Sequence, residues 1–231
     1  MNLFRMSLLR MGLFRIHLLC LMFLFVPISN GYAQTGATAS VEGDDVKKLT
    51  QALSKMTENA GFSCLFRQIV YFSEGGEQHY SGTLAIRRPG HFRWQYVVPY
   101  EQLYISDGGV VWHYEADLMQ AERMESLDAV DPVAMKLLDG RVGVKDIKLL
   151  ATEKLESGDI AYRIQIADGP ELILTFLASG DLHWLESEDM LGNRNRMILS
   201  DVDRQTPPKS VFSFTPPEGV EVIDIVGSVD G

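Results

Sequence analysis

The sequence predicts a mainly β domain, in which one long antiparallel sheet curls and two helices cover its open side. Three observations carry this expectation. Apolar residues alternate with polar ones through most of residues 62–114. Turn signals rich in Gly, Asp and Ser separate the later segments at intervals of about 10–12 residues, the spacing of a meander. Two short stretches carry helical periodicity, one before the alternating region and one inserted midway.

The elements follow in order. Asp44 and Asp45 are helix-capping residues; Val46, Leu49, Leu53 and Met56 recur at helical spacing, and Gly61 ends the run. The period then changes to two. Phe62, Cys64, Phe66, Gln68 and Val70 share one side of a strand, and Glu74-Gly75-Gly76-Glu77 is a turn. Tyr80, Gly82, Leu84 and Ile86 alternate on the return, until Arg88-Pro89-Gly90 breaks the run. Phe92, Trp94 and Tyr96 alternate with His91, Arg93 and Gln95, and Pro99 closes that strand. Leu103 and Ile105 lead to Asp107-Gly108, a hairpin signal; Val110, Trp112 and Tyr114 alternate after it.

Asp131-Pro132 reads as a helix start, Val133, Leu137 and Leu138 as its apolar face, and Gly140 as its stop. Five strands are expected near 147–152, 161–167, 172–177, 182–189 and 196–204. A last strand is expected over Val211–Phe214, before the turn Pro216-Pro217-Glu218-Gly219. A sheet of this many strands tends to curl, and layered packing then places helices over its open side. The inward set is Leu84, Ile86, Phe92, Trp94, Tyr96, Leu103, Ile105, Trp112 and Tyr114, with Phe66 on the first strand. So many bulky residues either fill a core or line an apolar pocket.

The first residues are expected to be a targeting segment. Arg5, Arg10 and Arg15 are followed by an apolar run from Ile16 to Val26, broken only by His17, and by small residues at Gly31 and Ala33. A run this short falls below the roughly 20 residues of a bilayer span and reads as a secretory signal peptide cleaved after Ala33. The expected organisation is therefore a cleaved signal peptide over 1–33 and a single domain over 34–231. Loss of the three arginines takes the net charge from −10 to −13. So acidic a chain lacks the phosphate-neutralising surface of a nucleic-acid binder. Of the two cysteines only Cys64 lies in the expected mature chain, which excludes an internal disulfide; its alternation with Phe62 and Phe66 makes it a small buried apolar residue.

The motifs of catalysis are absent from the sequence. It contains no G-x-S-x-G elbow, no P-loop and no G-x-G-x-x-G. His79, His91, His113 and His183 occur singly, without a second ligand at metal-binding spacing, so no metal is expected. His91 and His113 alternate with the aromatic residues and are expected to face solvent. Glu186, Glu188 and Asp189 form an acidic cluster in which a hydrolytic carboxylate pair is conceivable. Ser106-Asp107 belongs to the hairpin turn. No catalytic residue and no cofactor is assigned, and an enzyme is the weaker class.

The run from Gly82 through Arg88-Pro89, Phe92, Trp94 and Tyr96 to Pro99, Ser106-Asp107-Gly108 and Val111-Trp112-His113-Tyr114 resembles the outer-membrane lipoprotein carrier family, LolA. Further pieces of the resemblance are Phe62-x-x-x-Phe66-x-Gln68, Asp117-Leu118-x-Gln120, Pro132-x-x-x-x-Leu137-Leu138 and Phe212-x-Phe214-x-Pro216-Pro217-x-Gly219-Val220. Their order and spacing, over about residues 45–224, carry it. The resemblance implies an incomplete antiparallel barrel closed by helices around an apolar cavity. It implies a monomeric periplasmic chaperone that takes acylated lipoproteins from an inner-membrane ABC exporter to an outer-membrane acceptor. It makes Phe92 and Trp94 ligand-handling aromatics and Arg88 the tether of the helical lid, where burial statistics alone suggest a surface arginine at a strand end. A carrier of another lipid or glycolipid, or an envelope-stress lipid sensor, is the alternative on the same scaffold.

Hydrophobic arithmetic accords with such a task. A triacyl anchor of about 45 methylenes carries on the order of 30 kcal/mol of gross hydrophobic cost in water. A carrier realising all of it could not release its cargo, because useful affinities saturate near about −20 kcal/mol. A lid opened against its own contacts offsets part of the binding and keeps transfer reversible.

Overall fold

The structure is a computed structural model that describes residues 43–125, 133–167 and 169–225. The expected signal peptide, the Asp131-Pro132 helix start and the tail beyond Ile225 lie outside these residues.

Helix α1 spans Gly43–Glu58, and its apolar stripe buries Leu49 and Leu53. Asp44 and Asp45 sit in its first turn and Lys55 in its last, each sign matched to the helix dipole. Strands β1 (Gly61–Tyr71), β2 (Glu77–Arg87), β3 (His91–Val98), β4 (Gln102–Asp107), β5 (Val111–Glu115) and β6 (Gln120–Met124) follow as consecutive hairpins. Helix α2 spans Val133–Leu138. A second run comprises β7 (Ile147–Lys154), β8 (Ile160–Ile166), β9 (Glu171–Phe176), β10 (Leu182–Glu188) and β11 (Arg194–Asp203). β12 (Glu221–Ile225) ends the described chain.

All twelve strands form one sheet in the order β12-β6-β5-β4-β3-β2-β1-β11-β10-β9-β8-β7. The sheet curls without closing, because β7 and β12 remain separate edges. Strand β1 is its centre, paired with β2 over its whole length and with β11 over most of it. The five expected strands of the second run are present, shifted by a residue or two at their ends. No helix among the described residues is long and apolar enough to cross a membrane.

Two features depart from the expected meander. Residues Lys209–Phe212 form a 3-10 turn, not a last strand over Val211–Phe214. The prolines at 207 and 208 lack the N–H groups a strand ladder requires, and the buried residue of this turn is Phe212 alone. The chain then crosses to the far edge, where β12 pairs in parallel with β6, Glu221 opposite Gln120 and Ile225 opposite Met124. Neither β6 nor β12 announces itself in sequence. β6 (QAERM) is polar at three of its five positions, and an added parallel edge strand has no local turn to mark it.

Cross-strand register assigns the faces, since residues directly opposite one another point the same way. On one face lie Phe62, Cys64 and Phe66 of β1, Leu84 and Ile86 of β2, and Phe92, Trp94 and Tyr96 of β3. The same face continues through Met197 and Leu199 of β11 to Leu185, Leu174, Tyr162 and Ile164. These residues, with Leu49 and Leu53 of α1 and Met135, Leu137 and Leu138 of α2, make one continuous core. The curled sheet therefore wraps its apolar face around both helices.

Candidate functional site: the concave face and its helical cover

Aromatic rings dominate the centre of the concave face. Phe66 meets Trp94 edge-on at 5.7 Å and Tyr96 at 5.0 Å, while Trp94 and Tyr96 stack at 6.1 Å. Gly82 makes this possible. It sits on the same face between Phe66 and Tyr96, where a Cβ would strike the carbonyl of Gln95 and touch the Phe66 ring. A polar thread runs through it: Tyr96 Oη donates to Gln68 Oε1 at 2.8 Å, and Gln68 Nε2 donates to Asn195 Oδ1 at 3.0 Å, while Trp94 Nε1 has no partner among the described residues. Cys64 lies in the same face, and burial pushes its thiol up to about 12.

Arg88 joins the sheet to both helices. A helix end leaves carbonyls without partners, and a Schellman arrangement satisfies some of those of α2: Gly140 N donates to Leu137 O and Arg141 N to Lys136 O. The carbonyl of Leu138 remains, and Arg88 fills it, from Nε at 3.0 Å and Nη2 at 2.6 Å. Arg88 Nη1 donates to Asn59 O at 2.8 Å and Nη2 to Met56 O at 3.3 Å, both at the end of α1. A guanidinium suits this position because it is a cation at two negative helix ends and offers five donors. Burial lowers its proton affinity, and the carboxylate of Asp139 raises it again. That carboxylate also accepts the Gly90 N–H and pairs with Arg141 at 2.8 Å. Arg88 thus bridges the helix ends, where burial statistics suggested a solvated arginine.

Between the helices and the sheet lies a pocket of about 30 Å³, lined by Met56, Phe62, Leu138, Leu182, Leu199 and neighbours. That volume holds a water molecule or two and no acyl chain.

The register divides the expected inward set. Phe66, Leu84, Ile86, Phe92, Trp94 and Tyr96 share the concave face. Leu103, Ile105, Trp112 and Tyr114 do not: Ile105 pairs with Arg93 and Trp112, and Leu103 with Gln95 and Tyr114, all on the convex face. There Trp112 and Tyr114 pack on Phe214 at 5.7 and 5.5 Å, while Phe212 is buried nearby against His91. The concave positions of β4 and β5 are Tyr104 and His113, opposite Trp94. His113 is accordingly buried, contrary to the expected solvent exposure, and its ring stacks on Tyr104 at 4.0 Å. The physical reason is that β4 is buried on both faces from Gln102 to Ser106, so alternation there carries no contrast. Parity counted across the hairpin from Tyr96 opposite Gln102 would have selected Tyr104.

The acidic cluster of β10 has structural work. Glu186 pairs with Arg196 at 2.7 Å and Arg194 at 3.6 Å on the convex face, and Asp189 accepts the backbone N–H groups of Leu191 and Asn193 in the following turn. Among the described residues, no group of three or more His, Cys, Asp and Glu is placed to hold a metal ion.

A family model described as outer membrane lipoprotein carrier protein LolA matches residues 57–215. The chain belongs to the LolA family. An outer-membrane lipoprotein carrier protein of Bordetella bronchiseptica is 32% identical over 166 residues, 68% of this chain and 77% of the relative. Another of that description, from Chromobacterium violaceum, is 28% identical over 205 residues, 87% of this chain and 97% of the relative. A solved structure of an uncharacterized conserved protein from Thermus thermophilus superposes with a TM-score of 0.50 at 12% identity, covering 78% of this chain and 98% of that one. The LolA model begins near the end of α1 and ends just after Phe214, so it takes in Arg88, the concave aromatics and the convex strap of Phe212 and Phe214 together.

Proposed function

We propose that the protein is a periplasmic lipoprotein carrier whose concave face holds the acyl chains of its cargo. The observation that carries this reading is the bridge from Arg88 to the last carbonyls of α1 and α2, over an aromatic face already packed shut. Chains enter only when the helices move off Phe66, Leu84, Ile86, Phe92, Trp94 and Tyr96, and the Arg88 bonds are what that movement breaks. Cargo burial and lid opening then oppose each other, which keeps capture reversible. Residues 1–33 direct export and are removed, and residues 34–231 form the single working domain, a monomer without a cofactor. The carrier receives acylated lipoproteins from an inner-membrane ABC exporter and delivers them to an outer-membrane acceptor. Membership of the LolA family supports the carrier reading in general.

The test is purification of the protein from periplasm, followed by mass spectrometry of the bound material and of the mature N-terminus. Acylated lipoproteins bound to a chain beginning at Gln34 are expected. A glycolipid or free phospholipid as the sole occupant would replace lipoprotein with another cargo. Recovery of the uncleaved chain in the membrane fraction would overturn the carrier reading.

A further inference from the structure

The concave face is mainly apolar along β1, β2 and β11, with Gln68 and Asn195 its hydrogen-bonded exceptions, but on β4, β5 and β6 it changes character. His113 stands between two carboxylates, with Nδ1 at 3.3 Å from Glu122 and Nε2 at 3.4 Å from Glu115. The Glu115 side chain is only 14% exposed, and that long contact to His113 is the ion pair it makes among the described residues. Directly across the strand pair from Glu115 is Gln102, which is 3% exposed. The Oε1 atom of Gln102 has no hydrogen-bond partner among the described residues. Gln102 in turn lies opposite Tyr96, so the cluster borders the aromatic floor directly.

The buried amide oxygen of Gln102 is an unsatisfied acceptor and costs free energy as it stands, and the partly buried Glu115 carboxylate across from it has one distant partner. Burial raises the Glu115 carboxyl; His113 opposes that and Glu122 adds to it. His113 Nε2 and, two strands away, Trp94 Nε1 are also without hydrogen-bond partners, but neither offsets the negative charge of two carboxylates around one imidazole. A group with several N–H donors and a positive charge would satisfy both acceptors at once, and attached alkyl chains would lie on Trp94 and Tyr96 next to it. Neutral hydroxyls bring one donor each, and phosphate or carboxylate would meet like charge.

We propose that Glu115 and Gln102, with His113 held between Glu115 and Glu122, form a subsite for a primary ammonium carried beside acyl chains. The inference rests on the carrier reading and names a chemical feature of the cargo it favours. Two sources bear such a group: an acylated cysteine whose α-amine is free, and an ethanolamine phospholipid.

Displacement of a fatty-acid-like fluorophore by dodecylamine and by dodecanol tests the subsite, because the two differ only in the terminal group. The wild-type protein is expected to prefer the amine by about tenfold or more, the worth of one charge-assisted hydrogen bond. Glu115→Gln should erase that preference and leave dodecanol affinity unchanged; Gln102→Leu, which retains the carboxylate, should reduce it. Equal affinities in wild type, or a preference that survives Glu115→Gln, would overturn the subsite while leaving the carrier reading intact. Failure of both amphiphiles to bind would overturn both. A loss of binding common to amine and alcohol in Glu115→Gln would make Glu115 a structural residue and likewise overturn the subsite. A diacyl lipopeptide with a free amine, its N-acetylated form and lysophosphatidylethanolamine then separate the sources. Sensitivity to Glu115→Gln in either free-amine ligand supports the proposal, and insensitivity in both counts against it.

Discussion

Trp94 and Trp112 lie two strands apart in one sheet and point to opposite faces of it. Trp94 packs against Phe66 on the concave side, and Trp112 against Phe214 on the convex side. Their replacement therefore separates ligand binding from stability. Trp94→Ala should destabilise the fold by about 3–5 kcal/mol and weaken binding of an acyl fluorophore at least about tenfold. Trp112→Ala should cost about 1–3 kcal/mol and leave the fluorophore affinity unchanged. Denaturant melts paired with fluorophore titrations read both quantities, and unaltered affinity in Trp94→Ala would move the acyl site elsewhere.

Arg88→Leu should affect release more than capture. It removes about 1–3 kcal/mol of charge-assisted bonding from the closed state alone. The open state is then more populated, so cargo loads more tightly and unloads less readily by the same factor. A transfer assay with loading and unloading scored separately checks the sign. Poor loading with normal unloading would contradict the tether.

The thiol of Cys64 should be unreactive while the helices are closed. Burial raises it from 9.0 to about 12, which lowers the thiolate fraction about a thousandfold at any pH below both values. A colourimetric thiol reagent at pH 8 is expected to label the protein only in denaturant. Rapid labelling in native buffer would mean that the sheet beneath the helices opens often.

Asp107 makes one hairpin depend on pH. Its carboxylate accepts the N–H groups of Gly109 and Val110, each at 3.0 Å, and the bond to Val110 is the main cause that holds it below the usual carboxylate range. A carboxyl lowered on folding adds stability that is complete above its unfolded value, near about 3.9, and is lost as pH falls through the folded one. The stability of Asp107→Asn should therefore fall less than that of wild type between about pH 5 and pH 3, as thermal melts across that range would show.

The concave face was legible in the sequence wherever only one side of a strand is buried. β1 and β3 are such strands, and Phe62, Cys64, Phe66, Phe92, Trp94 and Tyr96 fall where period two puts them. The reading failed at β4, where a convex strap buries the second side and Leu103 and Ile105 look as inward as Tyr104. Phe212 and Phe214 form that cover from a hundred residues away, and no local pattern announces a long-range contact. The bridge of Arg88 to Leu138 likewise depends on the end of a strand meeting the end of a helix 50 residues away. Family resemblance indicated it; composition and spacing favoured a solvated side chain.

The parallel pairing of β12 with β6 has a consequence for how the chain comes to its final form. Asp224 and Arg123, which meet there at 3.4 Å, stand 101 residues apart in sequence. Pairings so remote form late, because the intervening loop must first lose its freedom. Until they do, β6 presents a bare row of backbone donors and acceptors, and such rows recruit strands from other molecules. Residues 221–225 thus cover the ladder of β6, and the short β12 becomes the edge in its place. A chain ending short of residue 221 would still contain Arg88 and the aromatic floor, yet would leave the whole ladder of β6 as its edge.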